Sequence, residues 1–333
     1  MSAGIRGSCV LLVIGLLAIP LLGAEIFEYR RGSPENGHII PDVPFEKWLK
    51  RNFCGPACMS MVLRFWQADN APGQEAIAEK IMDPRKKASF NSEMLAFPRK
   101  RELSGYSFRG DLDLVRELIS RNIPLIVLTK PIGAVNKGHY RVLIGFDEDR
   151  NLIIFHDPYF GPRRAMKYRD FLKVWEMDGS LNNDRWTLAI ASSHSALDTF
   201  QEVWGHPLTR VNLATAYYRR SEYEKSFREW EAVRDARPED PYPLYSLGMV
   251  CYRMGRYEEA SEHARRALDL DPNSSYAYDV LGLALFKQGK YMESLKTLSQ
   301  ALGGEPRADF IKSHYLQVRA HYIEKASKRK EGK

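Results

Sequence analysis

Cys54 stands where a thiol can be made reactive. It lies in the run Asn52-Phe53-Cys54-Gly55-Pro56-Ala57-Cys58-Met59-Ser60-Met61-Val62-Leu63-Arg64-Phe65-Trp66, which joins a cysteine, a Gly-Pro step and apolar residues at helical spacing. Proline is tolerated in a first helical turn, where its missing N–H costs nothing, so a helix is expected to start near the cysteine. There the unpaired backbone N–H groups and the helix dipole favour a thiolate and can hold an oxyanion. Cys58, one turn later on the inward face, reads as a buried core thiol, and a Cys54–Cys58 disulfide would consume the nucleophile and strain the turn.

A thiolate nucleophile needs a base. Among eight histidines the strongest candidate is His139, in Gly138-His139-Tyr140-Arg141-Val142-Leu143-Ile144-Gly145-Phe146, which opens a β-type run behind a glycine that leaves the face open. The polar stretch 147–151 reads as a turn and 152–155 as the returning strand of a hairpin. With residues 147–149 as the loop, pairing symmetric about 148 sets Tyr140 opposite His156 and His139 opposite Asp157. A carboxylate at that place would orient the imidazole. His156 alternates away from Asp157 and reads as a polar strand-end residue, although a one-residue slip would make it the partner instead. Cys54 and Cys58 lack a second ligand pair at zinc spacing, so no metal is expected, and no cofactor is implied.

The elements that must position these groups fall between residues 41 and 195. Short β-type runs at 123–128, 140–146, 152–155 and 186–191 are interspersed with helical stretches, which predicts an α+β domain. The C-terminal third is organised differently, because segments starting at Pro207, Pro241 and Ser275 repeat every 34 residues, the period of helix-turn-helix solenoids. Leu213, Leu247 and Leu281 align, followed by Ala214, Gly248 and Gly282 at a close helix approach, with Tyr217, Cys251 and Leu285 on the same face. Ser221, Gly255 and Gly289 mark the turn and Tyr223, Tyr257 and Tyr291 open the second helix. Ser226, Ala260 and Ser294 give it a small contact, and Pro238, Pro272 and Pro306 stop it. The repeats cover 207–306 (207–240, 241–274 and 275–308 by period). Phe310, Ile311, Tyr315, Val318 and Tyr322 predict a capping helix over 309–326, and 325–333 reads as a solvated basic tail. Cys251 belongs to the repeat core as a small buried hydrophobe.

Residues 1–24 read as an export signal: Arg6 in a polar start, an apolar stretch from Cys9 to Leu22, then Gly23 and Ala24, with cleavage after Ala24. The alternative is an uncleaved anchor, since the apolar run falls slightly short of the roughly 18–20 residues a membrane helix needs. The expected location is the bacterial periplasm or cell envelope, with membrane contact only if the segment is retained. Segments 25–40 and 196–206 read as linkers. A chain of 333 residues, 44% hydrophobic, supports two domains, and four cysteines are too few for a disulfide scaffold. The net charge of +7 would attract acidic surfaces, but no zinc-finger spacing or RNA-binding aromatic signature accompanies it, so nucleic acid is not expected as a partner.

Val43-Pro44-Phe45, Cys54-Gly55-Pro56-Ala57, Gly138-His139-Tyr140 and Asp157-Pro158 together resemble the bacteriocin-processing (double-glycine leader) family of papain-like cysteine peptidases and its stand-alone bacterial relatives, over about residues 41–190. The repeats resemble the tetratricopeptide family. The resemblance implies an α+β papain-like cysteine peptidase domain followed by an all-α tetratricopeptide repeat solenoid, with Cys54 as nucleophile, His139 as base and Asp157 as its orienting partner. One departure matters. The family usually carries a glutamine a few residues before the cysteine as an oxyanion donor, whereas 47–53 has none and Asn52 is the one amide there. Loss of such a donor costs about 10² to 10³ in rate. No Walker-type phosphate loop and no run of spanning helices follows the signal, so cleavage at double-glycine leaders is not inherited. The expected function is an exported peptidase acting on a peptide or protein substrate, with repeats that dock a protein partner. The alternatives are a catalytically weak or inactive pseudo-peptidase that grips peptides and assembles a complex, and acyl transfer to an amine.

Overall fold

The computed structural model describes residues 25–130, 138–177, 183–192, 206–304 and 309–331. The expected signal and residues 196–205 of the expected second linker lie outside the described residues. In chain order the first region contains β1 (Phe27–Glu28), β2 (Gly37–Ile39), α1 (Cys54–Gln67), α2 (Gln74–Ile81), β3 (Met82–Asp83), β4 (Ala88–Ser89), α3 (Asn91–Arg99), β5 (Ser104–Arg109), α4 (Leu112–Ser120), β6 (Leu125–Thr129), β7 (His139–Asp147), β8 (Leu152–Asp157), β9 (Gly161–Lys167), α5 (Tyr168–Trp175) and β10 (Trp186–Ala191). One antiparallel sheet runs β1-β9-β8-β7-β6-β10-β5, with β2 pairing on β7, and β3–β4 forms a separate ribbon. Helix α1 packs against β7, and every residue from Cys54 to Leu63 is buried. A helix apolar all round lies at the centre of a fold, and this one places its N-terminus beside the start of β7.

The β-type runs expected from sequence are β6, β7, β8 and β10. Strands β5 and β9 went unread, because Ser104–Arg109 and Gly161–Lys167 hold few branched apolar residues and owe their conformation to ladder partners. The expected linker 25–40 is corrected by the structure. Strand β1 pairs with β9 and β2 with β7, while Tyr29 is buried and its hydroxyl donates to Asp147 Oδ2 at 3.0 Å. Strands this short carry no periodicity for a sequence reading to find.

The hairpin register is also corrected. Asp147 pairs with Leu152, so the loop is 148–151, and the register shifts between Leu143 and Gly145, which makes Val142 the partner of His156. Continuing that ladder sets Arg141 opposite Asp157, with His139 diagonal to it. The longer loop and the bulge together displace the pairing by two residues, an even number, so His139 and Asp157 still share a face.

The second region is helical: α6 (Pro207–Arg219), α7 (Tyr223–Ala236), α8 (Pro241–Arg253), α9 (Tyr257–Leu270), α10 (Ser275–Lys287), α11 (Tyr291–Gly304) and α12 (Asp309–Glu331). Proline opens α6 and α8, and the side chains of His206, Asp240 and Ser274 cap the first helices of the three units by accepting from Leu208, Tyr242 and Ala277 N–H. Ser221, Gly255 and Gly289 take left-handed φ of 61°, 80° and 79° at the turns. The small residues set the inter-helix distance: a Cβ at Gly282 would lie 2.5 Å from Leu298 Cγ, and Ser294 Oγ donates to Gly282 O at 2.6 Å. Helix α12 buries Ile311 and Val318 and continues to Glu331, so residues 325–331 of the expected basic tail are helical.

Helix α6 docks on β5, the open edge of the sheet. Thr209 Oγ1 accepts from Ser107 N–H at 3.0 Å and donates to Ser107 O at 2.9 Å, so one hydroxyl satisfies both backbone groups of an edge residue. Nearby, Glu93 pairs with Arg219 and Arg220, and the Arg219 guanidinium lies 3.6 Å from the centre of the Phe90 ring. The hydrophobic core is continuous across this junction, running from α1 and the sheet to Leu208, Val211, Trp230 and Leu247.

Candidate active site

Cys54 is the first residue of α1. Asn52, at a left-handed φ of 70°, turns the chain into the helix, and Ala57 N–H bonds back to Phe53 O. Pro56 has no N–H and the Ala57 N–H bonds Phe53 O, so the first turn has the N–H groups of Cys54 and Gly55 to offer a developing oxyanion, and that of Gly55 also helps to lower the thiol pKa. His139 is the first residue of β7 and Asp157 the last of β8. His139 Nε2 lies 2.9 Å from Asp157 Oδ1. A carboxylate only accepts, so Nε2 carries a hydrogen toward Asp157 and Nδ1 is the nitrogen left to exchange a proton with the thiol. Nδ1 is buried without a partner of full hydrogen-bond geometry, and the ring interacts on that side with the Cys54 thiol. The structure thus brings together all three candidates, Cys54, His139 and Asp157, from a helix start and two strand ends.

Asp157 is held from several sides. Its Oδ1 also accepts from the N–H groups of Tyr159 and Phe160 at 2.8 and 3.1 Å, and its Oδ2 accepts from Arg141 Nε at 2.8 Å. Arg141 is fully buried; Nη1 donates to Thr129 Oγ1, and Nη2 has no partner among the described residues. This arginine was not singled out from sequence. The signal was present, because residue 141 shares the strand parity of His139, but an arginine in a strand usually reads as a solvated residue.

Burial opposes charge on every member, and the neighbours decide the outcome. Desolvation raises the Cys54 pKa, but the hydrogen bond and charge of His139, with backbone N–H bonds from Tyr140 and Gly55, bring it below the ordinary thiol value. Desolvation pushes His139 down, yet the charge and hydrogen bond of Asp157, joined by Cys54, raise it to about 9 against a small opposing effect of Arg141. Asp157 is desolvated too, and His139 and Arg141 hold it well below the usual carboxylate range. The direction is that of a thiolate–imidazolium pair over a permanently ionised carboxylate. Cys58 is buried and its pKa is pushed well up by desolvation and by Cys54, so the two cysteines one turn apart have opposite chemistry.

Little of the pair meets solvent: Cys54 is 5% and His139 1% exposed. Trp48 packs edge-on against His139, with ring centres 6.3 Å apart, and Tyr159 packs edge-on against Trp48 at 5.1 Å. His156 does not join the site. Its Nδ1 accepts from Arg163 N–H and its Nε2–H donates to Val43 O, and burial lowers its pKa to about 4, so it is a neutral clamp on the segment leading to Cys54. Among the described residues no group of three or more His, Cys, Asp or Glu side chains could hold a metal ion, and no helix is long and apolar enough to cross a membrane.

A mixed domain with a cysteine-headed central helix against an antiparallel sheet, joined to paired helices of fixed period, defines the class: a peptidase-like domain bearing a helical repeat solenoid. Comparison with protein families gives the particular assignment. Residues 40–183 match the Peptidase_C39 like family, and residues 241–274 and 263–296 match tetratricopeptide repeats. The chain carries a Peptidase_C39-like domain followed by tetratricopeptide repeats. No curated protein matches it. Among solved structures it is similar to the tetratricopeptide domain of Sgt2 from Aspergillus fumigatus, at 26% identity over 34% of this chain and 77% of that one, with a TM-score of 0.33. The first such domain of human RPAP3 is 19% identical over 36% of this chain and 95% of its own, with a TM-score of 0.35. The TPR2B domain of yeast Sti1, solved as a pHsp70 complex, is 17% identical over 34% and 97%, with a TM-score of 0.33.

Proposed function

We propose that the protein is an exported cysteine peptidase in which Cys54, His139 and Asp157 form the catalytic relay and the repeats dock a protein partner. The observation that carries this reading is the buried Cys54–His139–Asp157 chain with its lowered thiol and raised imidazole pKa. The thiolate attacks a peptide carbonyl, the Cys54 N–H receives the developing oxyanion, and the imidazolium passes its proton to the leaving amine. Asp157 holds the ring so that Nδ1 faces the sulfur, and water then releases the acyl group with His139 as base. The test is turnover of a broad peptide library by the purified mature chain. Hydrolysis that disappears in Cys54→Ala and in His139→Ala is expected; no Cys54-dependent turnover at any sequence would remove this reading. Export is tested by sequencing the N-terminus of the protein recovered from the cell envelope, where Glu25 is expected as the first residue and Met1 would identify a retained anchor.

A second reading has its own support. No glutamine precedes Cys54 within 47–53, and Trp48 packs edge-on against the histidine with Tyr159 behind it. Both favour a pseudo-peptidase that grips a peptide without cutting it, and peptide binding without turnover in the same library would select it.

A further inference from the structure

A cavity of about 400 Å³ is lined both by neighbours in sequence of the reacting groups and by the first repeat helix. Asn52, two residues before Cys54, Gly138 and Tyr140, which flank His139, and Asn212 and Thr215 of α6 all contribute to its lining. The volume falls within the roughly 300–1,000 Å³ of small-ligand and side-chain pockets. Two of its lining serines hold buried hydroxyls without a hydrogen-bond partner among the described residues: Ser92, which is 3% exposed, and Ser89. Ser89 also ties the cavity to the reacting group, since a Cβ on Gly55, the residue after the nucleophile, would lie 2.3 Å from its Oγ. Asn212 spends its Nδ2 on Ser107 Oγ and Leu208 O, which leaves its carbonyl oxygen as an acceptor outside those bonds. Among the described residues no Asp or Glu lines the cavity, and Lys87, the cationic lining residue among them, is exposed.

We propose that this cavity is a specificity subsite for an uncharged hydrogen-bonding side chain of a bound polypeptide (Asn, Gln, Ser or Thr), and that the first repeat helix is part of its wall. The proposal rests on the reading of the Cys54 cleft as a polypeptide-binding site. Turned to the lumen by a side-chain rotation, the unpartnered serine hydroxyls join an amide carbonyl in offering both donors and acceptors to a carboxamide or hydroxyl. An aliphatic side chain would return no hydrogen bond to them, and a cationic one would meet no anion among the described lining residues. The repeats then have a role inside the cleft besides docking a partner, and α6 cannot be regarded as a separate module that happens to follow.

The experiment uses the full chain as Cys54→Ala, so that binding is read without turnover. Fluorescein-labelled alanine-glycine hexapeptides carry Gln, Asn, Ser, Leu, Glu or Lys at each position in turn, and affinity is measured by fluorescence polarisation. A preference for Gln, Asn or Ser at one position is expected, weakened about 3- to 10-fold by Ser92→Ala, as for loss of one neutral hydrogen bond. Thr215→Leu, which fills the repeat side of the cavity while giving up only a bond to its own helix at Val211 O, is expected to reduce the preference as well. Affinity indifferent to the varied residue, a preference for Glu, Lys or Leu, a preference that survives both variants, or no binding at millimolar peptide would each overturn the assignment. Hydrolysis by the wild-type chain with no such preference would overturn the subsite and leave the thiol chemistry standing. Selective binding without hydrolysis would keep the subsite and remove the peptidase.

Discussion

At the scale of single residues the site is a contest between burial and partnership, and pH exposes it. The Cys54 pKa lies below its ordinary 9.0 and that of His139 is raised to about 9, so the ion pair exists between the two. The rate of Cys54 alkylation by iodoacetamide is therefore expected to rise at a pH below that of an ordinary thiol. In His139→Ala the midpoint is expected to move up by roughly one unit or more, because desolvation is then unopposed by the imidazolium. An unchanged midpoint would mean that His139 does not activate the thiol; Cys58 and Cys251, both buried with raised pKa, give little background. The same shift bears on stability. The folded-state pKa of His139 lies above its ordinary 6.5, so its contribution is complete below that value and is lost as pH rises through about 9. Arg141 is the remaining test. Removing it as Arg141→Met strands the buried Asp157 charge, and about 3–5 kcal/mol of unfolding free energy should go with it in urea titration. In whatever fraction stays folded, the alkaline limb of Cys54 reactivity should move upward, since Arg141 lowers the His139 pKa; a purely structural arginine would leave that limb in place.

At the scale of elements, the edge of the sheet is where a small change should matter most. Thr209→Val keeps the shape of the side chain but strips both bonds from the Ser107 backbone, and a loss of about 2–4 kcal/mol is expected by denaturant unfolding. A loss within a few tenths of that of an exposed Thr→Val would show that water replaces the hydroxyl there. The elements also show what a sequence can reveal. The cysteine-headed helix was legible because its signals are local: a Gly-Pro step and one long apolar run. The repeat helices were legible because their signals recur at one spacing. The hairpin was legible in its faces but not in its pairs, since alternation fixes parity, whereas loop length and the bulge near Ile144 set the count. Strands β1, β2, β5 and β9 were invisible, because their conformation is imposed by the ladders they join. Arg141 was hidden for a related reason: only the fold says that its strand is buried and that Asp157 lies across from it.

At the scale of the whole molecule, the peptidase-like domain shares one core with the first repeat and the first helix of the second, so the two regions should unfold together. Calorimetry of the purified chain is expected to give a single transition; two resolved transitions would mean that the junction adds little coupling. A chain ending at residue 192 would bare β5 as an unpaired edge and the apolar faces that meet Leu208 and Val211, and it is expected to associate through that edge, with oligomers visible in size-exclusion chromatography. The Thr209 clasp thus bears on how such proteins can be recombined. A repeat array grafted from another protein onto this domain, or this array moved onto another, would arrive without a hydroxyl matched to the open backbone of Ser107. Neither half is a portable part, and the seam between them is a poor place to cut a gene.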